Sequence, residues 1–152
     1  MGGVTAPDEL EPMTSESELH DAEAGPEARA ELRKRVRQID DRLFLLVEVQ
    51  VQTPFTLDVL FDRLEELTAG LDRFAYVVDL SGVRRPDARV RERLKQRVAR
   101  INTRLVHAGL VVGGNAVIRA VAKLTAFSIG FRSFSFHKTV EEALEVCRRA
   151  LG

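Results

Sequence analysis

Four segments after residue 42 carry apolar patterns that predict β-strands. Leu43–Val51 opens with five apolar residues and continues with every second position apolar. Phe74–Leu80 is a short apolar run, and Leu110–Val112 lies in another. Phe134 and Phe136 alternate with serines in the last segment, which is the period of a strand with one buried face.

Between and after these strands, apolar residues recur at helical spacing. Thr56 is the predicted cap of the first helix, and Asp87 begins a second helix that runs to Leu105. Asn115 caps the third helix, and Thr139 begins the last one within a Thr-x-x-Glu capping box. Strand and helix therefore alternate four times. This order predicts a single α/β domain with a mainly parallel sheet of four to five strands and about four amphipathic helices.

The first 42 residues do not fit this alternation. Residues 1–25 are rich in acidic and small polar residues and predict a disordered acidic tail. Residues 26–42 are ambiguous. Leu32, Val36, Ile39 and Leu43 fall at helical spacing, whereas the alternating Arg-Val-Arg at 35–37 followed by two aspartates is typical of a strand that enters a turn. The α/β domain is predicted over residues 43–152.

Length and composition narrow the class of protein. A chain of 152 residues with one cysteine predicts one domain without an internal disulfide. No basic segment followed by an apolar one begins the chain, and the longest uncharged stretch has 14 residues, which is too short to span a bilayer. These features predict a cytoplasmic protein.

One segment carries a family resemblance. The run Val77-Val78-Asp79-Leu80-Ser81-Gly82-Val83 resembles the strand and turn of STAS domains, the fold of bacterial anti-sigma-factor antagonists such as the SpoIIAA-like proteins. The resemblance implies that fold, a habit of protein binding near this loop, and a further strand before Leu43. The family's phosphorylatable Asp-Ser-Ser-Gly motif is replaced here by Asp87-Ala88-Arg89-Val90. The resemblance therefore does not imply a kinase-controlled switch.

The charge of the chain is strongly uneven although the formal net charge is zero. Residues 1–31 carry −8 and the remainder +8, while residues 84–104 alone carry +7. Because the apolar stripe of the predicted helix faces the core, most of its basic side chains are expected in solvent. Three interpretations stay open: this face binds an acidic partner, nucleic acid or anionic lipid, the acidic segment folds back over it, or the helix is simply soluble.

These observations define two candidate sites. The first is a partner-binding surface at the loop and helix start of residues 81–91, where arginines and a helix N-terminus can receive carboxylates. Its residues are Ser81, Arg84, Arg85, Asp87, Arg89 and Arg91. The second is an anion site at two strand-end turns, 79–82 and 113–115, where Gly113, Gly114 and Asn115 can expose backbone N–H groups.

Other candidate chemistry is weaker. His107 and His137 are predicted at opposite ends of the sheet, and neither has a second ligand at metal spacing. Asp79 is expected to stabilise a turn and Cys147 to fill the core. A last set of residues is expected to pack in the core, and any member left exposed would mark an interface. This set is Phe127, Phe131, Phe134 and Phe136.

The predicted function is that of a non-catalytic regulatory or scaffolding module, because no acid–base or nucleophile constellation is visible. It binds a partner protein through residues 81–91, and self-association is possible. No cofactor and no metal are predicted. The alternative is binding of an anionic small ligand, a nucleotide or a phospholipid head group, at the turns 79–82 and 113–115.

Overall fold

The computed structural model describes residues 25–152, which contain a five-stranded sheet and five helices. In chain order the elements are α1 (Pro26–Arg33), β1 (Val36–Asp40), β2 (Leu43–Val47), α2 (Pro54–Thr68), β3 (Phe74–Asp79), α3 (Ala88–Ile101), β4 (Leu105–Val111), α4 (Ala116–Ser128), β5 (Phe134–His137) and α5 (Val140–Leu151). The prediction of a disordered tail over residues 1–25 lies, except for Gly25, outside the described residues. A compact unit extends from Leu32 to Gly152, and residues 25–31 belong to a separate unit.

The strands lie in the sheet in chain order, β1-β2-β3-β4-β5. The first two form an antiparallel hairpin joined by Asp41 and Arg42, and the remaining neighbours are parallel. The predicted α/β class with a mainly parallel sheet is confirmed. Because each crossover moves to the next strand in the same direction, connections of one hand place α2, α3 and α4 on the same face of the sheet.

The two faces of the sheet bury separate cores. The larger core lies under α2, α3 and α4 and includes Phe44, Phe74 and Ile101. The smaller core lies under α5, where Ala143 and Cys147 pack on the other face of the sheet. The buried position predicted for Cys147 is thus confirmed.

Residues 26–42 contain both a helix and a strand, so neither interpretation holds for the whole segment. The helical spacing from Leu32 to Leu43 is misleading, since α1 ends at Arg33 and Val36–Asp40 is extended against β2. The two apolar residues Val36 and Ile39 lie in strand β1 rather than on a helix face. The additional strand implied before Leu43 is present.

Three predicted element boundaries are wrong. The strand predicted to reach Val51 ends at Val47, because residues 48–53 form the loop that leads into α2. That helix is capped by Thr53 rather than Thr56: the Thr53 hydroxyl accepts from the Thr56 backbone N–H while the Thr56 hydroxyl accepts from the Thr53 N–H. The helix predicted to reach Leu105 ends at Ile101, and Leu105 begins β4.

The remaining predicted caps agree with the structure, with one difference in detail. Asp87 and Asn115 cap α3 and α4 through their side chains. Thr139 caps α5 by accepting from the Glu142 N–H, but the Glu142 carboxylate binds His137 instead of completing the capping box. Among the described residues, no helix is long and apolar enough to cross a membrane.

Candidate functional site

Three loops at the carboxyl ends of the parallel strands are tied together by hydrogen bonds. The Leu80 N–H donates to the Val111 carbonyl at 2.8 Å, which joins the ends of β3 and β4. The loop after β3 reaches the loop after β2, where the Arg84 N–H donates to the Gln50 carbonyl at 2.8 Å. The two predicted strand-end turns therefore lie side by side, as expected for the ends of neighbouring parallel strands.

Asp79 and Ser81 form the turn that leaves β3. The Asp79 Oδ1 atom accepts from the Ser81 N–H at 3.0 Å and from the Ser81 hydroxyl at 2.7 Å. This is the turn role predicted for Asp79. Ser81 is exposed, but its hydroxyl donates to Asp79 within the turn.

The basic residues predicted for partner binding lie along the exposed loop and the first turn of α3. Arg84 and Arg85 are exposed, and neither pairs with a carboxylate within residues 25–152. Arg89 is also exposed, and its Nη2 atom lies 3.9 Å from Asp87 Oδ2. Arg91 is half-buried and donates to the Pro86 carbonyl at 2.9 Å. The free positive charge of this surface is thus concentrated at Arg84 and Arg85.

Of the nine basic residues in 84–104 only Arg97 is buried, but several in the body of α3 are paired with α2 rather than free. Arg93 Nη1 lies 2.9 Å from Asp58 Oδ2, and Arg100 Nη2 lies 2.7 Å from Glu65 Oε1. Arg104 donates to backbone carbonyls at the C-terminal end of α2. The acidic face of α2 therefore offsets much of the +7 charge, an arrangement not among the three interpretations drawn from the sequence.

Arg97 lies at the centre of this contact between α2 and α3. Its side chain is 6% exposed and reaches Asp58 at 3.1 Å, Asp62 at 2.7 Å and Glu65 at 2.8 Å. Burial acts to lower the pKa of Arg97, but the hydrogen bonds to Asp62 and Glu65 outweigh it and the net shift is upward. Within the described part of the chain, its Nε atom is buried without a hydrogen-bond partner.

The turn predicted to bind an anion uses its side chain for structure. Asn115 Oδ1 accepts from the Ile118 N–H at 3.2 Å, and Nδ2 donates to the Val83 carbonyl at 3.2 Å. Gly113 has a φ of 56°, a conformation that favours glycine. The backbone of Gly113 and Gly114 remains for a ligand at this turn. It lies next to the turn that the Asp79 carboxylate stabilises.

A cavity that the sequence analysis missed lies between the sheet and helices α2, α3 and α4. Its volume is about 80 Å³, and most of its lining is apolar, including Leu46, Phe61, Val98 and Ala122. Four polar side chains, Glu48, Gln52, Tyr76 and Thr125, line the same space. Glu48 follows β2 in an alternating apolar pattern, so its position in the sequence resembles that of a solvent-facing residue.

Glu48 is a buried acid with neutral hydrogen-bond partners. It is 7% exposed, and its Oε1 atom accepts from the Val49 N–H at 3.2 Å. Burial raises the pKa of Glu48 to about 7, against the lowering effects of hydrogen bonds from Val49 and Gln52 and of the Arg35 charge. The Arg35 guanidinium itself donates to the Val47 and Glu48 backbone carbonyls.

A hydrogen-bond chain joins the two histidines, contrary to the prediction that they lie at opposite ends of the sheet. Ser135 Oγ lies 2.8 Å from His107 Nε2 and 2.6 Å from His137 Nε2. The chain extends to Ser133 Oγ, 2.9 Å from His107 Nδ1, and to Glu142 Oε1, 3.0 Å from His137 Nδ1. The residues meet because β4 and β5 are parallel neighbours with these side chains on one face.

The Ser135 hydroxyl lies between the two imidazole rings and restricts which ring nitrogen atoms can carry a hydrogen. Ser135 has a single hydroxyl hydrogen, so it donates to one ring and accepts from the other. With His137 Nδ1–H donating to Glu142, a continuous chain forms in which both rings are neutral. Burial and the nearby His137 lower the pKa of His107, which favours the neutral form of the His107 ring. Among residues 25–152, no group of three or more His, Cys, Asp or Glu side chains is placed to hold a metal ion.

The phenylalanine set divides between core and surface. Phe131 is buried, Phe134 and Phe136 are half-buried, and Phe127 is 56% exposed. Core packing therefore does not account for Phe127. The same outer face of α4 exposes Val117 and Leu124.

The segment that resembles STAS domains runs from the end of β3 into α3. Its aspartate and serine make the turn after β3, and Asp87 begins the helix that follows. The family itself stays a prediction. The chain matches no protein-family model, and no curated protein matches it.

Proposed function

We propose that this chain is a non-catalytic regulatory or scaffolding module that binds an acidic partner protein through residues 81–91. The observation that carries the proposal is the distribution of paired and unpaired arginines. The body of α3 is neutralised by α2, whereas Arg84 and Arg85 are exposed without a carboxylate in the described residues. Guanidinium groups in this state receive carboxylates as bidentate pairs.

The backbone of the loop supports the same proposal. The Val83 N–H donates to the Leu80 carbonyl at 3.1 Å, and its carbonyl accepts from Asn115 at 3.2 Å. The Arg84 N–H is held by Gln50. A loop fixed in this way loses little conformational entropy on binding, so more of the contact energy contributes to affinity.

A charge-reversal experiment tests the surface. Full-length protein, the double variant Arg84→Glu/Arg85→Glu and the control Arg37→Glu/Arg132→Glu are used for affinity capture from nuclease-treated lysate of the native host at two salt concentrations. Both double variants change the net charge by the same amount at exposed positions. We expect a defined protein to bind the full-length protein and the control and to be lost from the loop variant.

The loss should be at least about tenfold, because close charge pairs at interfaces contribute more than about 1.4 kcal/mol. Circular dichroism spectra of the three proteins serve as the control for folding. Equal capture by the loop variant and the control would remove residues 81–91 as the docking surface. Recovery of no defined protein from the nuclease-treated lysate would contradict the protein-binding function.

A further inference from the structure

The cavity between the sheet and helices α2–α4 combines an apolar interior with one buried acid. Val78, Leu94 and Ala126 line its apolar part. Glu48, Gln52, Tyr76 and Thr125 supply its polar part. An apolar lining with a few convergent polar groups is also found in small-molecule sites, which are usually larger than this cavity.

The chemistry of Glu48 selects the kind of ligand. Its carboxylate accepts from neutral donors, and within residues 25–152 no cation forms an ion pair with it. The nearest guanidinium, that of Arg35, is hydrogen bonded to backbone carbonyls. A buried carboxylate without an ion partner is costly, and a cation that enters the cavity removes that cost.

We infer that this cavity binds a small aliphatic primary amine, with its protonated amino group at Glu48 and a chain of about two or three carbon atoms against Phe61, Val98 and Ala122. The size of the chain follows from the volume. At about 80 Å³ the cavity has about half the ~150 Å³ that holds a benzene ring, so the chain must be shorter than the six carbon atoms of benzene. The cavity is separate from residues 81–91, so the test of amine binding is independent of the test of the docking surface.

Affinity for the amine should depend on pH. Burial raises the pKa of Glu48 to about 7, so below that value the amine must displace a proton to gain its ion pair. The other charged and titratable groups facing Glu48 are Arg35 and Tyr76, and burial and the Glu48 charge raise the Tyr76 pKa further from neutrality. Binding should therefore strengthen between pH 6 and pH 8.

The test compares ethylamine, ethanol and acetate on the full chain at pH 8 by calorimetric titration. Ethylamine should bind saturably, ethanol at least about tenfold more weakly and acetate not at all, because only the amine supplies a charge-assisted hydrogen bond. Glu48→Gln should weaken ethylamine binding about tenfold and leave ethanol binding unchanged.

Two further variants test the location. Ala122→Leu or Ala126→Leu fills the cavity and should remove binding of both the amine and the alcohol, and either variant suffices if the other does not fold. Absence of saturable ethylamine binding would overturn the inference. So would ethylamine affinity that is the same in the wild type and in Glu48→Gln.

Discussion

At the scale of single residues, Glu48 links burial to pH. Burial raises its pKa to about 7 from an ordinary value of 4.5. Between these values the unfolded chain has lost a proton that the folded chain keeps, so the free energy of unfolding falls as pH rises. Below 4.5 both states are protonated and above 7 both are ionised, which confines the fall to that window.

Glu48→Gln should remove this dependence. Relative to the variant, the free energy of unfolding of the wild type should decrease by about 3 kcal/mol across the window and stay constant above it. Arg35 is a permanent cation and Tyr76 stays neutral, so neither adds to the change. Urea titrations at closely spaced pH values measure the difference. A difference that does not vary with pH would mean that the carboxyl group is hydrated in solution.

Arg97 is the second residue with a large expected effect. Arg97→Met leaves Asp58, Asp62 and Glu65 without their shared cation and should lower the free energy of unfolding by about 3 kcal/mol. The matched control is Arg100→Met, because the Arg100 side chain is 59% exposed and its ion pair should contribute less than about 1 kcal/mol. Chemical denaturation of both variants provides the comparison. Equal losses would show that burial of Arg97 adds nothing to its ion pairs.

At the scale of elements, α4 presents apolar side chains on both faces. Ile118 on its inner face is 4% exposed, whereas Val117 on its outer face is 50% exposed. Ile118→Ala should lower the free energy of unfolding by about 3 kcal/mol, because it leaves a cavity in the core. Val117→Ala should change it by less than about 0.5 kcal/mol. Thermal unfolding of the two variants measures both, and a large loss from Val117→Ala would mean that the outer face is covered in solution.

The contact between β4 and α5 depends on the absence of a side chain at Gly109. A Cβ atom there would lie 3.1 Å from Ala143 Cβ and 3.3 Å from Cys147 Sγ. Gly109→Ala should therefore push α5 from the sheet and lower the free energy of unfolding by about 2 kcal/mol. Gly114→Ala is the control, since nothing lies within 4 Å of its added Cβ. Equal unfolding midpoints for the two variants would show that α5 shifts without cost.

Element caps were the most predictable local features. Asp87 and Asn115 were predictable because a side-chain oxygen at the start of a helix satisfies a nearby backbone N–H. The cap of α2 was assigned to the wrong threonine because Thr53 and Thr56 bond each other reciprocally, and either one fits the pattern alone. Pro54 at the first helical position was the signal that could have distinguished them.

At the scale of the whole molecule, the fold class was predictable and the long-range pairing was not. The alternation of strand and helix follows from local periodicity, and it places the turns after β3 and β4 at one edge. The neutralisation of α3 by α2 joins residues about 35 positions apart, as in Arg93 with Asp58, and no local pattern encodes it. The chain from His107 to His137 likewise required the register of β4 against β5.

One of the two candidate sites was predictable from the sequence and the other was not. Residues 81–91 were recognisable because charge and a family-like turn coincide in a single segment. The cavity was not, because its polar lining comes from Glu48, Gln52, Tyr76 and Thr125 and its apolar lining from four strands and three helices. A glutamate in a strand-like alternation is normally expected to face water.

The buried position of Cys147 allows its thiol to be used as a probe for the opening of α5. It is the single cysteine of the chain, it lies on the buried side of α5, and burial raises its thiol pKa to about 11. An aqueous thiol reagent can reach it only in the fraction of molecules in which α5 has left the sheet. The rate of labelling therefore reports the equilibrium for local opening, without any engineered site, in the native protein at working temperature.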